Sequence, residues 1–140
     1  MMLVLHATPQ EVMRAVEALQ EFGQARQIPD KLLFGLALAL EECGSNIVNH
    51  ALRGDPQQTF RVALEHTGGK MVIELRDRGP AFDPTQAPVP EKEANRDDRP
   101  PGGLGIQLVR HYMDEIRYAR EAGENVLRLT KRLSLAASQE

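Results

Sequence analysis

"LALEECGSNIVNHALRG", residues 38–54, decides how the chain is read. Its apolar positions recur at helical spacing, continuing from Leu33, Leu36 and Ala37 through Leu40, Gly44, Ile47, Val48 and Ala51. Away from that stripe it carries Glu42, Asn46 and His50 at intervals of four, with Asn49 beside them, so these groups share one side of a helix. That side has no Lys or Arg to solvate it, and its two asparagines lower the helix's intrinsic stability by roughly several tenths of a kcal/mol relative to alanine. Two readings are open on this helix alone. One is an ordinary solvated face. The other is a ligand floor: an asparagine amide oxygen is a neutral hard donor suited to Mg²⁺, and a carboxylate one turn away can orient a water or a hydroxyl.

Working outward, residues 2–6 (MLVLH) predict a strand, and Thr8-Pro9 supplies the cap and first position of a helix. That helix buries Val12, Ala15, Val16, Leu19 and Phe22, with Gly23 loosening its end. Asp30, after Pro29, is expected to cap the central helix, and Arg53-Gly54-Asp55-Pro56 to stop it. Residues 59–65 and 71–76 alternate as strands joined at His66-Thr67-Gly68-Gly69. A third helix starts at Gly103–Gly105 and carries Ile106, Leu108, Val109, Tyr112 and Met113, and residues 115–120 and 125–133 form a second hairpin around Ala122-Gly123. There is no internal repeat and no interdomain linker. The predicted class is α+β: a single domain over residues 1–140, a two-layer sandwich with three main helices on one face of a mixed, mostly antiparallel sheet.

Composition narrows the function. A 140-residue chain that is 41% hydrophobic and 26% charged can bury one good core. Its net charge of −3 gives no footprint for nucleic acid or an anionic membrane. With two Tyr, four Phe and no Trp, it lacks the aromatics of a single-strand stacking platform, and its core must be aliphatic. Cys43 is the single cysteine, which excludes an internal disulfide and a cysteine-built zinc site, and its setting among Leu and Gly reads as a small buried hydrophobe. The N-terminus has no basic segment followed by a long apolar stretch and a cleavage site, and no run approaches the ~20 apolar residues of a membrane span. A cytoplasmic protein is expected.

Two further stretches carry chemistry. "ELRDRGPAFDP", 74–84, ends a strand in Asp77, followed by Gly79 and Pro80. A turn of this kind is common, yet Asp77 is also suited to accept N–H bonds, for example from an exocyclic base amine. "PPGGLGIQLV", 100–109, is a glycine cluster opening a helix, either a flexible loop end or a backbone cradle for phosphate. No Gly-Lys-Ser/Thr follows it and no strand precedes it, so neither a Walker loop nor a Rossmann turn applies. Between these stretches the composition shifts, with six of the nine prolines lying between residues 80 and 101. A segment of about twenty residues without apolar period is a functional lid or a disordered piece.

Together, E-x-x-x-N-x-x-x-H on the second helix, D-x-G after a strand, a Pro-rich lid and G-G-L-G opening a helix resemble the histidine-kinase-like ATPase superfamily, the Bergerat ATP-binding fold. Within it the chain is similar to the short anti-sigma-factor serine/threonine kinases. The resemblance covers nearly the whole chain and implies ATP and Mg²⁺ as cofactors. Asn46 would hold Mg²⁺ and Glu42 would be the base or water-orienting group. Asp77 would take the adenine amine, with Gly79 admitting the backbone to the base and Phe82 walling the pocket. Gly102, Gly103, Leu104 and Gly105 would wrap the phosphates beneath a lid over about 84–102, from which Arg99 or Arg96 would reach the γ-phosphate. Asn49 and His50 would touch the nucleotide's edge. Two positions depart from the family pattern. Ala81 replaces the second glycine of D-x-G-x-G, and Gly123-Glu124-Asn125 replaces the late Gly-Thr, removing a hydroxyl near the base.

The implied activity is phosphoryl transfer to a Ser or Thr of a STAS-type anti-anti-sigma partner, sequestration of a sigma factor, or both. A non-catalytic ATP-gated binding module and a partner-switching kinase with a non-sigma output are the alternatives. Family members often dimerise, and the third helix and first strand are surfaces on which this chain could do so.

Overall fold

The computed structural model describes residues 1–86 and 103–133. Five strands form one sheet: β1 (Met2–His6), β2 (Thr59–Thr67), β3 (Lys70–Asp77), β4 (Glu115–Glu121) and β5 (Glu124–Arg132), in the order β1-β2-β3-β5-β4. Every ladder is antiparallel, so the mostly antiparallel sheet expected is antiparallel throughout the described residues. Both hairpins turn on two residues of positive φ, Gly68 (58°) with Gly69 (74°) and Ala122 (52°) with Gly123 (80°), the turn whose twist matches that of paired strands.

Strand alternation gives the sheet two unlike faces. Leu5, Phe60, Val62, Leu64, Ile73, Leu75 and Leu129 share the inner face and are buried. The same register carries this row past the apolar core: Asp77 stands opposite Asn125, and Asn125 opposite Arg120. At that end the inner face therefore turns polar. The outer face alternates arginine with glutamate, pairing Arg61, Arg76 and Arg78 with Glu124, and Arg128 with Glu74.

Three helices cover the inner face: α1 (Pro9–Ala25), α2 (Asp30–Asn46) and α3 (Gly103–Tyr112). The Thr8 hydroxyl accepts from the Glu11 N–H at 3.2 Å, and Pro9 takes the first helical position, as expected. Gly23 lies in the last turn of α1, its carbonyl accepting from the Arg26 and Ile28 N–H groups that follow the helix, and a Cβ there would come within 2.3 Å of the Leu33 side chain, so its bareness also serves the approach of α2. Asp30 is not a capping residue; it is the first helical residue of α2, where its charge suits the positive end of the helix. α2 was expected to run to Ala51, yet it ends at Asn46 and continues as a π turn over Ile47–Ala51, closed by a 2.8 Å bond from the Leu52 N–H to the Ile47 carbonyl.

Candidate functional site

The change from α to π winding sets the directions of the polar groups on this helix. Asn46, the last α residue, is buried at 5% exposure and lines a cavity with Cys43, Ile47 and, from the sheet, Asp77. Burial excludes the solvated-face reading for Asn46. Its Nδ2 has no hydrogen-bond partner among the described residues. Asn49 is exposed, and half-buried His50 turns its ring toward Phe82, 5.8 Å between centroids at 33°. The four polar groups therefore do not form one continuous face.

Glu42, one turn before Asn46, lies against the start of α3. A Cβ on Gly105 would stand 2.1 Å from Glu42 Oε2, so this glycine lets the helix N-terminus close onto the carboxylate. Partial burial, and then the neighbouring Glu41 charge, raise the Glu42 pKa above its ordinary value, which makes the carboxylate a better proton acceptor. Cys43 beside it is fully buried, and burial pushes its thiol up to about 12. It is a packed hydrophobe, not a nucleophile.

Asp77, 3% exposed, closes the other side of the cavity. Its Oδ1 accepts from the Gly79 N–H at 2.9 Å and from Asn125 Nδ2 at 2.9 Å. Gly79 is required by packing and not by its φ, since a Cβ would lie 2.4 Å from the Ala51 carbonyl oxygen of the π turn. Ala81 is exposed and does not take positive φ, so the missing second glycine costs no backbone strain. Phe82 and buried Pro84 line the cavity, which is about 20 Å³ as it stands, room for about one water.

Asn125, Tyr118 and Arg120 also meet here, and none of them was among the expected site residues. The signal for Asn125 lay in its register with Asp77, which needs the Ala122-Gly123 turn to be paired correctly first. Beyond Phe82, Asp83 holds Thr85 through its N–H (2.9 Å) and hydroxyl (2.6 Å), while Arg110 of α3 donates to the Thr85 carbonyl at 2.8 Å. Gly103, Leu104 and Gly105 open α3 as expected. Gly102, Arg96, Arg99 and the expected lid from residue 87 onward lie outside the described residues.

Among the described residues no group of three or more His, Cys, Asp or Glu is arranged to hold a metal. The amide oxygen of buried Asn46 is a neutral hard donor that fits Mg²⁺ of the kind that takes one or two protein oxygens and completes its shell with phosphate and water, and its unpaired Nδ2 is free to donate to an acceptor such as a phosphate oxygen. No described helix is long and apolar enough to cross a membrane.

Residues 5–131 match the model of the histidine kinase-like ATPase domain. The chain belongs to that family. It is 38% identical over 100 residues to the serine/threonine-protein kinase BtrW of Bordetella bronchiseptica, covering 71% of this chain and 70% of that protein, which places it with the serine/threonine kinases of the family. Among solved structures it resembles the RsbU and RsbW domains of Rv1364c from Mycobacterium tuberculosis, with a TM-score of 0.69 at 20% identity. That match covers 95% of this chain but only 31% of the longer mycobacterial one. It also resembles a chain of the SiaB–SiaC complex of Pseudomonas aeruginosa, with a TM-score of 0.68 at 16% identity over 93% of this chain and 88% of that one. At such identities the two structures show a shared fold.

Proposed function

We propose that this chain is an anti-sigma-factor-type kinase that binds Mg-ATP between α2, the end of β3 and the start of α3, and transfers the γ-phosphoryl group to a Ser or Thr of a STAS-type anti-anti-sigma protein. Sequestration of a sigma factor is its second output. The observation that carries the reading is buried Asn46, whose amide nitrogen has no partner among the described residues, on a cavity shared with Asp77 and one helical turn from Glu42.

Asn46 would hold Mg²⁺ through its amide oxygen, and the bound ion supplies charge neutralisation on the phosphates. Asp77 would receive the adenine amine, with Gly79 bringing the backbone close to the base and the His50–Phe82 ring pair at its edge. Asn49 is placed at the outer rim of the same turn. Gly102 to Gly105 would present backbone N–H groups to the phosphates, where the N-terminus of α3 favours negative charge. Glu42, less hydrated than a surface carboxylate, would take the proton of the incoming hydroxyl, and Arg99 or Arg96 would meet the γ-phosphate. Kinship with a serine/threonine kinase supports the transfer, and a fold neighbour solved in a two-protein complex supports action on a separate protein.

The test combines the purified chain with labelled ATP and its STAS-type partner. Label on a partner Ser or Thr supports the reading. Intact ATP binding with an unlabelled partner would instead indicate an ATP-gated binding module, and transfer without recovery of any sigma factor would indicate a non-sigma output. Asp77→Asn should weaken ATP by about tenfold while changing GTP little, and equal losses would remove the adenine contact.

A further inference from the structure

The two departures from the family pattern, Ala81 and Asn125, converge in space. Asn125 is 4% exposed and its side chain is saturated by the protein. Nδ2 donates to Asp77 Oδ1 and to the Pro80 carbonyl, both at 2.9 Å. Oδ1 accepts from the Phe82 N–H at 3.1 Å, from Arg120 Nη1 at 3.2 Å and from the Tyr118 hydroxyl. Arg120 Nη1 also donates to the Gly79 carbonyl at 2.8 Å. The Phe82 N–H, Arg120, Pro80 carbonyl and Asp77 partners all match this orientation of the amide, and a flip would set like against like at each of those four contacts. The loop from Gly79 to Phe82 is therefore held from β4 and β5 at three backbone groups. One Asp77 oxygen is fully engaged, and no hydrogen bond among the described residues engages the other.

We propose that Asn125, braced by Tyr118 and Arg120, is the positioning residue that sets base specificity: it locks Asp77 so that a single carboxylate oxygen is left for the base. This rests on the nucleotide reading given above. A carboxylate held this way accepts from the 6-amine of adenine and repels the 6-carbonyl of hypoxanthine. Released from the amide, Asp77 can rotate away from the base edge, and the discrimination falls. With the amide in place the loop needs no second glycine, which accounts for Ala81.

The test is the ratio of ATP to ITP affinity, measured by calorimetry with Mg²⁺ on the wild-type chain, Asn125→Ala and Asn125→Thr. The expected result is a wild-type preference for ATP that shrinks by about three- to tenfold in Asn125→Ala, the scale of one hydrogen bond, and returns in Asn125→Thr, whose hydroxyl can again donate to Asp77. A purely structural role would weaken both nucleotides together, and an unchanged ratio in Asn125→Ala overturns the proposal. Should that variant not fold, Arg120→Ala, altered at an exposed position, is expected to reduce the ratio about two- to threefold, again with an unchanged ratio as the refuting result. Absence of ATP binding by the wild-type chain would overturn the nucleotide reading itself, and this proposal with it.

Discussion

A buried amide without a partner costs a fold about 1–3 kcal/mol, and Asn46 carries that cost where α2 changes winding. Stability given up at one residue is a common accompaniment of a binding role. Asn46→Ala is therefore expected to abolish Mg-dependent ATP binding in calorimetry without lowering the unfolding midpoint, and undiminished affinity would refute the metal role. Glu42 carries a related cost. Burial, then Glu41, raises its pKa above 4.5 in the folded state, so its ionised form is favoured in the unfolded chain. Its unfavourable contribution is absent below about pH 4 and grows as pH rises through the folded pKa. Glu42→Gln should thus be the more stable protein at pH 7 in urea unfolding, with the difference gone at pH 4. The same variant should keep ATP affinity and lose phosphoryl transfer by roughly 10²–10⁴-fold in the labelling assay.

At the scale of elements, two glycines set how closely α3 and the loop after β3 approach the α2–π unit, and they differ in what stands opposite. A Cβ on Gly105 meets the far end of the Glu42 side chain, which can swing aside. A Cβ on Gly79 meets the Ala51 backbone carbonyl, which cannot. Gly105→Ala should hence leave the melting temperature nearly unchanged and cut transfer at least about tenfold, by moving the base. Gly79→Ala should destabilise by about 1–3 kcal/mol, measured by denaturant, and weaken ATP as well. The reverse pattern would show that the two contacts are wrongly assigned.

For the molecule as a whole, the two faces of the sheet hold the same strand ends from opposite sides. Inside, Asn125 ties the loop from Gly79 to Phe82. Outside, its neighbour Glu124 is bound by Arg61, by Arg76 at 3.4 Å and by Arg78 at 3.6 Å. The Arg61 hydrogen bond holds the Glu124 carboxyl below its ordinary 4.5 against the cost of burial, with Arg76 and Arg78 adding to it. Such a group stabilises the fold above the unfolded pKa, and the benefit is lost as pH falls through the lower folded value. Glu124→Gln should accordingly be modestly less stable than wild type at pH 7, and the gap should close on acidification below about pH 4 and narrow in 1 M salt. A gap that persists at pH 3 would mean that packing, and not charge, is what the substitution removes.

The sequence by itself determined the elements and the layers. Val12 to Phe22 and Leu33 to Leu40 repeat with a helix's period, the strands alternate, and Gly68-Gly69 and Ala122-Gly123 punctuate them, all properties of residues a few positions apart. It also marked Glu42, Asn46, Asp77 and the Gly103–Gly105 turn, because unusual polar or glycine residues show against a regular pattern. Only the tertiary structure decided which way those groups point. The sheet packed on α2 buries Asn46 while Asn49 in the π turn stays exposed, Gly105 packs onto Glu42, and strand register sets Asn125 on Asp77 across 48 positions of chain. Periodicity is local, whereas these pairings come from helix approach and sheet register, which the whole core sets at once.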